Sequence, residues 1–445
     1  MTQQIVFASW IPPELKDIHF HQRGEFWLCL NSSVPAWFIA TEVGTLLLKL
    51  SNGIRSLDKI HQLLINSDVS FSLESIMDFF SAVITAGFYG SSVDEETLWD
   101  DRKLAAMHLH LTNRCNLQCT YCFRESSPKI PIHHTSEHFC KMLEYVKPFT
   151  LEAMNVTFTG GEPTLFPEFE EVVRTSTHLG YKNELLTNGT RINTKLAGFI
   201  AQHFHHTKIS LDGPNEAIHS LTRGDGNFQL VLRGIRELAE KGANLTVQVT
   251  VSKSNLEFCT EIENLLEGVE IKFTPLLPMG RGDTLDKEFI NNEAFLGLSR
   301  GLERVTEGKL KTSLMPGVRM RRCHAGISNI SVADTGDIYP CHLFHYERYK
   351  FGNIFSDSFE EIFWGSKIKQ YVKSMDVEEN NSICRSCEVR FLCAGGCKAN
   401  ALHSTGDHHG VDLYCSYLKE SIIDQLFDSC KVDYSSSVVL ETQSI

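Results

Sequence analysis

Three cysteines in a C-x3-C-x2-C run, Cys115, Cys119 and Cys122, follow directly on the alternating segment Met107 to Thr112, and that placement restricts fold and chemistry together. Three thiolates do not complete a tetrahedral zinc site, but they hold a four-iron cluster with one iron left open. Strand-like segments recur at Met107 to Thr112, Asn155 to Thr159, Asn183 to Thr187, Lys208 to Asp212, Asn244 to Val251 and Glu270 to Leu276, with helical stretches between them. Alternating strands and helices imply a parallel sheet with right-handed crossovers. Functional residues then belong at the strand C-termini, where the cysteine run stands.

At 445 residues the chain exceeds the roughly 250 to 300 residues at which single cores stop growing, so several domains are expected. A net charge of −13 without a basic stripe argues against nucleic-acid and anionic-membrane partners, which need clustered Lys and Arg. The N-terminus lacks a charged stretch followed by an apolar one, and the stretch Val34 to Leu50 is interrupted by Glu42 and Lys49, so neither a secretion signal nor a membrane span is expected, and a cytoplasmic location follows. Reducing compartments keep thiols free, which makes the 14 cysteines metal ligands rather than disulfides. Ten fall into motifs, while Cys29, Cys140, Cys259 and Cys430 stand alone.

The strand ends carry further motifs. Gly160-Gly161-Glu162-Pro163 follows the second barrel-type strand, Thr187-Asn188-Gly189 ends the third, and Ser210-Leu211-Asp212-Gly213 ends the fourth, with His219 and Arg223-Gly224 shortly after. Together with the cysteine run and its Tyr121, these motifs resemble the radical S-adenosylmethionine superfamily. That resemblance implies an incomplete (β/α)6, TIM-like barrel over about residues 104–310. In the family, S-adenosylmethionine chelates the open iron and is split to a 5′-deoxyadenosyl radical that removes a hydrogen atom from substrate. The resemblance implies that Gly160, Gly161, Glu162 and Pro163 meet the methionyl amino group, and that Ser210 and Arg223 hold its carboxylate or the ribose, for which hydroxyl and guanidinium donors suit. Asn188 and Asp212 are further cofactor candidates, although Asn and Asp before glycine also form turns. Pro275 to Gly282 is expected to close the barrel beside the adenine, or to be a structural loop.

Seven more cysteines follow in order: Cys323, Cys341, Cys384, Cys387, Cys393, Cys397 and Cys415. The pattern resembles a complete SPASM domain, over about residues 320–430. The resemblance implies two auxiliary four-iron clusters, one on Cys323, Cys341 and Cys397 and one on Cys384, Cys387, Cys393 and Cys415. For four closely spaced cysteines the alternative is structural zinc. In sulfatase-maturing relatives an Asp serving as base follows the cysteine that matches Cys341. Here that position is His342, a candidate acid or base, or else a hydrogen-bond partner.

Before the barrel, three short strands at Asp17 to Gln22, Glu25 to Leu30 and Ala36 to Thr41 precede amphipathic helices near Glu42 to Leu50, Leu57 to Ile65 and Leu73 to Ala86. Ser56 and Ser72 are good N-cap types, and Gly53 and Gly87 suit helix stops. This winged-helix pattern over residues 1–95 resembles the precursor-recognition domain related to the small chaperone of pyrroloquinoline quinone biosynthesis. Such domains take up a leader peptide as an added strand. A charged connector, Asp94 to Lys103, joins it to the barrel. Cys140 and Cys259 read as buried small hydrophobes, and His203, His205 and His206 as solvated loop residues.

The combined reading is an enzyme: a radical S-adenosylmethionine oxidoreductase that matures a ribosomally made precursor peptide, bound by its leader, and installs a thioether or carbon–carbon crosslink or another C–H modification. Its cofactors would be S-adenosylmethionine and three [4Fe-4S] clusters, supplied with electrons by a flavodoxin- or ferredoxin-type donor. The alternatives are action on a small-molecule cofactor precursor, a sulfatase-type maturase, or a non-enzymatic zinc-dependent peptide-binding scaffold.

Overall fold

The N-terminal sheet is apolar on both faces, and the fold covers both. Strands β1 (Ile18–Arg23), β2 (Phe26–Asn31) and β3 (Ala36–Ala40) pair antiparallel in that order. Cys29, Ala36, Phe38 and Ala40 pack on helices α1 (Glu42–Leu50), α2 (Leu57–Asn66) and α3 (Leu73–Thr85). Thr41 and Ser72 cap α1 and α3 through their side chains, whereas Ser56 occupies the N-cap of α2 without making a side-chain bond. The opposite face, Leu28, Leu30, Trp37 and Ile39, packs against C-terminal residues that include Val389, Leu392, Ile422, Ile423 and Leu426. In the computed structural model the described residues are 7–67, 69, 71–94, 101–266, 268–301 and 317–430, with the backbone of 439–440. Residues 95–100 of the expected connector and the barrel's expected end beyond residue 301 lie outside them.

Six parallel strands form the central sheet: β4 (Leu104–Thr112), β5 (Thr150–Gly160), β6 (Lys182–Thr187), β7 (His206–Ser210), β8 (Leu245–Val251) and β9 (Glu270–Pro275). They lie side by side in sequence order, each joined to the next by helical crossovers. Alternation along each strand sorts two environments. Met107, Leu109, Leu111, Val156, Phe158, Val247 and Val249 face the helices in one apolar core. The intervening positions include His108, His110, Thr157, Glu184, Lys208 and Thr246, which are polar yet half-buried or buried. A polar face kept from solvent marks an enclosed lumen.

At its base, Glu184 accepts from His206 Nδ1 (3.1 Å) and Thr157 Oγ1 (3.0 Å) and pairs with Lys208 (2.5 Å). Burial opposes ionisation there, but His206, Lys208 and Thr157 hold the carboxyl well below its usual range. His206 is therefore a strand residue bonded on both ring nitrogens, to Glu184 and to Thr246 Oγ1 at 2.8 Å, and not a solvated loop histidine. His205 is exposed as expected.

The C-terminal region continues the same sheet. Strand β10 (Asn329–Val332) pairs parallel with β4, and β11 (Asp337–Tyr339) and β12 (Gly352–Asn353) follow antiparallel. Helices α10 (Lys398–Thr405) and α11 (Cys415–Ser429) lie beyond them, with α11 carrying the Ile422, Ile423 and Leu426 contacts to the N-terminal sheet.

Candidate cluster and cofactor site

The cysteine loop leaves β4 and is pinned from three sides. Gly160, at φ +131°, and Gly161 lie so close to it that a Cβ would stand 2.1 Å from Thr112 O or 2.3 Å from Arg114 O, so only glycine fits. Gly161 and Glu162 donate their N–H groups to those two carbonyls at 2.8 and 2.9 Å. From the loop that follows the last barrel strand, Arg281 donates Nε to Cys119 O at 2.8 Å, Nη1 to Ser126 O at 3.0 Å and its backbone N–H to Cys122 O at 3.1 Å. The loop Pro275 to Gly282 thus braces the cysteine loop, and Pro275, Leu276 and Leu277 also line the central cavity.

The third brace is a buried ion pair. Asp212 is fully buried and accepts from Arg223 Nε at 2.7 Å and Nη2 at 3.3 Å, Thr222 Oγ1 at 2.9 Å and Thr250 N at 2.9 Å. The Tyr121 hydroxyl, between Cys119 and Cys122, donates to it as well. Burial works against the charged form, but Arg223 and these donors hold the Asp212 carboxyl below its ordinary value. Glu162 is likewise saturated, by Thr164 N and Oγ1, Thr187 Oγ1 and Asn188 N at 2.7–3.2 Å.

One cavity of about 850 Å³ runs from this rim into the lumen. Cys115, Cys119, Cys122, Gly160, Gly161, Asn188, Ser210, Arg223 and His342 line it, together with Cys323, Cys341, Cys393 and Cys397. Glu162, Pro163 and Asp212 stand behind the wall; they support Asn188, the glycine turn and Arg223 instead of facing the space. Asn188 Nδ2 donates to Cys115 Sγ at 3.7 Å and to Asn116 Oδ1 at 2.9 Å. Lining residues beyond those motifs include Thr159, Lys208, Gln248, Thr250 and Thr274. Their period-two spacing on strands β5 and β7 to β9 is the sequence signal that finds them. The His342 ring lies tilted against that of His108, centroids 4.2 Å apart, with its Nδ1 unpartnered. Burial pushes both imidazoles below their usual pKa, His108 to about 4.

The remaining cysteines form a second group. Cys384, Cys387, Cys393 and Cys415 line a small adjoining cavity, so Cys393 borders both spaces. All 14 cysteines are free. Burial pushes the Cys115, Cys393 and Cys397 thiols up to about 12 and Cys415 to about 11, so a cationic metal core is what would make them ligands. Zinc would draw thiolates to about 3.8 Å from one another, given Zn–S bonds of about 2.3 Å in a tetrahedron. No three thiols come within 4.8 Å; among the described residues only Asp407, His408 and His409 form so tight a group. The wider sets, on the walls of cavities, suit a multi-iron cluster better than a single ion.

Residues 109–257 match the radical SAM superfamily, and residues 323–388 match the SPASM iron–sulfur cluster-binding domain. The chain is a radical S-adenosylmethionine enzyme with a SPASM domain. Among curated proteins it is 28% identical over 342 residues to the AdoMet-dependent heme synthase of Methanosarcina barkeri, covering 69% of this chain and 95% of that one. It is 29% identical over 324 residues to the mycofactocin maturase MftC of Mycobacterium ulcerans, covering 68% and 86%. Streptococcus suis SuiB, solved with its precursor peptide SuiA, shares the fold with TM-score 0.57 at 15% identity, covering 90% of this chain and 98% of SuiB. Residues 104–445 are only about three quarters of the chain, so this last similarity reaches into the N-terminal unit.

Proposed function

We propose that this radical SAM enzyme is a maturase of ribosomally made peptides, with residues 1–95 a winged-helix leader-binding domain, 104–310 the barrel and 320–430 the SPASM domain. The observation that carries this reading is the N-terminal three-strand, three-helix unit seated on α11 beside the cavity. The mycofactocin maturase relative and the precursor-bound SuiB fold support it. An added strand on this sheet gives a leader main-chain hydrogen bonds and delivers the following residues toward the lumen.

Cys115, Cys119 and Cys122 would hold the first cluster. The two auxiliary clusters would sit on Cys323, Cys341 and Cys397, and on Cys384, Cys387, Cys393 and Cys415. When loaded, the first cluster supplies the electron that splits S-adenosylmethionine, drawn from a flavodoxin- or ferredoxin-type donor in a reducing cytoplasm. The chain's own residues bind and orient. The Gly160–Gly161 turn lets backbone approach the methionyl group, Asn188 and Ser210 offer hydrogen-bonding side chains, and Arg223, anchored on Asp212, presents a fixed cation for a carboxylate. The walls exclude water from the lumen, and His342 faces substrate there as a proton acceptor or hydrogen-bond partner. A crosslink is favoured because forming it removes two hydrogens from the peptide, and auxiliary clusters suit acceptance of the second electron.

The test is anaerobic incubation of reconstituted enzyme, S-adenosylmethionine and reductant with a short peptide encoded beside its gene, read by mass spectrometry. Loss of two hydrogens from the full-length peptide, and none from a leaderless core, is expected. Equal processing of both refutes leader capture. The heme synthase relative favours a second reading, a small-molecule substrate, and that reading predicts turnover with no peptide present.

A further inference from the structure

Helix α10 begins directly after Cys397, and its first side chain, Lys398, is only 2% exposed. Its Nζ has no hydrogen-bond partner. A buried ammonium that donates no hydrogen bond is unfavourable, yet the fold makes room for this one. Gly395, at φ +80°, carries no Cβ where one would stand 2.7 Å from Nζ. The ammonium therefore folds back over the turn that joins Cys393 to Cys397. Those two cysteines belong to different sets: Cys397 lines the large cavity, and Cys393 also borders the small one with Cys384, Cys387 and Cys415.

The Asp412 carboxylate is a nearby counter-charge, but it accepts no hydrogen bond from Nζ. Asp412 is occupied by Cys397 N at 2.6 Å, Tyr414 N at 2.8 Å and Asn400 Nδ2 at 3.4 Å. Lys398 directly follows Cys397, and Gly395, against which its Nζ lies, lines the small cavity with Cys384, Cys387 and Cys415.

We propose that Lys398 is the cation shared by the two auxiliary clusters, its ammonium donating to sulfur and raising their reduction potentials. This rests on the assignment of the seven SPASM cysteines made above. Hydrogen bonds to cluster sulfur and nearby charge are established levers on potential. A positive charge beside a cluster favours the reduced, more negative state, so an electron leaving substrate would find a better acceptor.

The experiment is a redox titration of anaerobically reconstituted full-length protein followed by electron paramagnetic resonance, comparing wild type with Lys398→Met and Lys398→Arg at matched iron content. Lys398→Met is expected to shift one or both auxiliary couples to lower potential, while the cluster on Cys115, Cys119 and Cys122 keeps its midpoint and serves as internal control. Lys398→Arg is expected to stay nearer wild type. Unchanged auxiliary midpoints in Lys398→Met overturn the inference. If Lys398→Met does not retain iron, Lys398→Gln is measured as well; iron loss in both with retention in Arg supports a requirement for charge, and loss in all three overturns the proposal. A wild-type protein with only one cluster refutes the ligand assignment itself, a separate failure.

Discussion

Replacing Asp212 by Asn tests whether the cysteine loop is held by a buried ion pair. The carboxylate accepts from Arg223, Thr222, Thr250 and Tyr121, and it is fully buried. Asn keeps the volume but removes the charge, leaving the 7% exposed Arg223 without its counter-ion. Breaking such a pair from one side costs about 3–5 kcal/mol. Unfolding entropy is about 2.1 cal/mol/K per residue, or about 0.7 kcal/mol/K over residues 104–430, so the midpoint is expected to fall by about 4–7 °C. Scanning calorimetry at a fixed rate on reconstituted protein measures this, and iron analysis on the same sample reports whether the Tyr121 segment still presents its cysteines. The sign with pH follows from the depressed carboxyl. The stabilisation is complete above the unfolded pKa of about 3.9 and is lost as pH falls through the lower folded value. A midpoint shift under about 1 °C with full iron content refutes the idea that this pair is the anchor.

Cys119→Ala is expected to remove about four of about twelve irons and to abolish 5′-deoxyadenosine formation, measured by chromatography; retained cleavage would reassign the first cluster. Leu426→Ala opens the seam between α11 and the N-terminal sheet at a cost of about 2–5 kcal/mol, so hydrogen exchange in β2 and β3 is expected to rise while peptide-independent cleavage of S-adenosylmethionine persists. Glu388 accepts from His21 and Lys419, and its carboxyl is lowered to about 2 by the His21 hydrogen bond first, against burial, and then by Lys419. Wild type is therefore expected to be more stable than Glu388→Gln near pH 5, and the margin to shrink as pH falls toward 2, read by thermal unfolding across that range.

The parallel sheet and the loop of Cys115, Cys119 and Cys122 were legible because both depend on local spacing, period-two alternation for strands such as Leu245–Val251 and short intervals for those three cysteines, whereas the grouping of the later cysteines rests on resemblance. The observed strands lie within a few residues of those expected. What spacing does not convey is whether a polar group is already satisfied. Asp212 and Glu162 have the same letters as cofactor ligands, yet four or more donors use up each carboxylate behind the wall. The two-sided burial of Leu28, Leu30, Trp37 and Ile39 is written in their apolar alternation with Cys29 and Phe38, but the partner that covers them begins some 350 residues later. Lys398 reads as an ordinary first-turn helix residue until its amine is found enclosed.

Strand β10 hydrogen-bonds in parallel to β4, so the loop that presents Cys115 and the segments that present Cys323 and Cys341 are suspended from one unbroken lattice of main-chain bonds. Such a frame acts as a ruler. The spacings among these cysteine segments are set when the chain folds and stay the same whichever guest arrives, and adaptation to different guests is left to the side chains that project into the lumen.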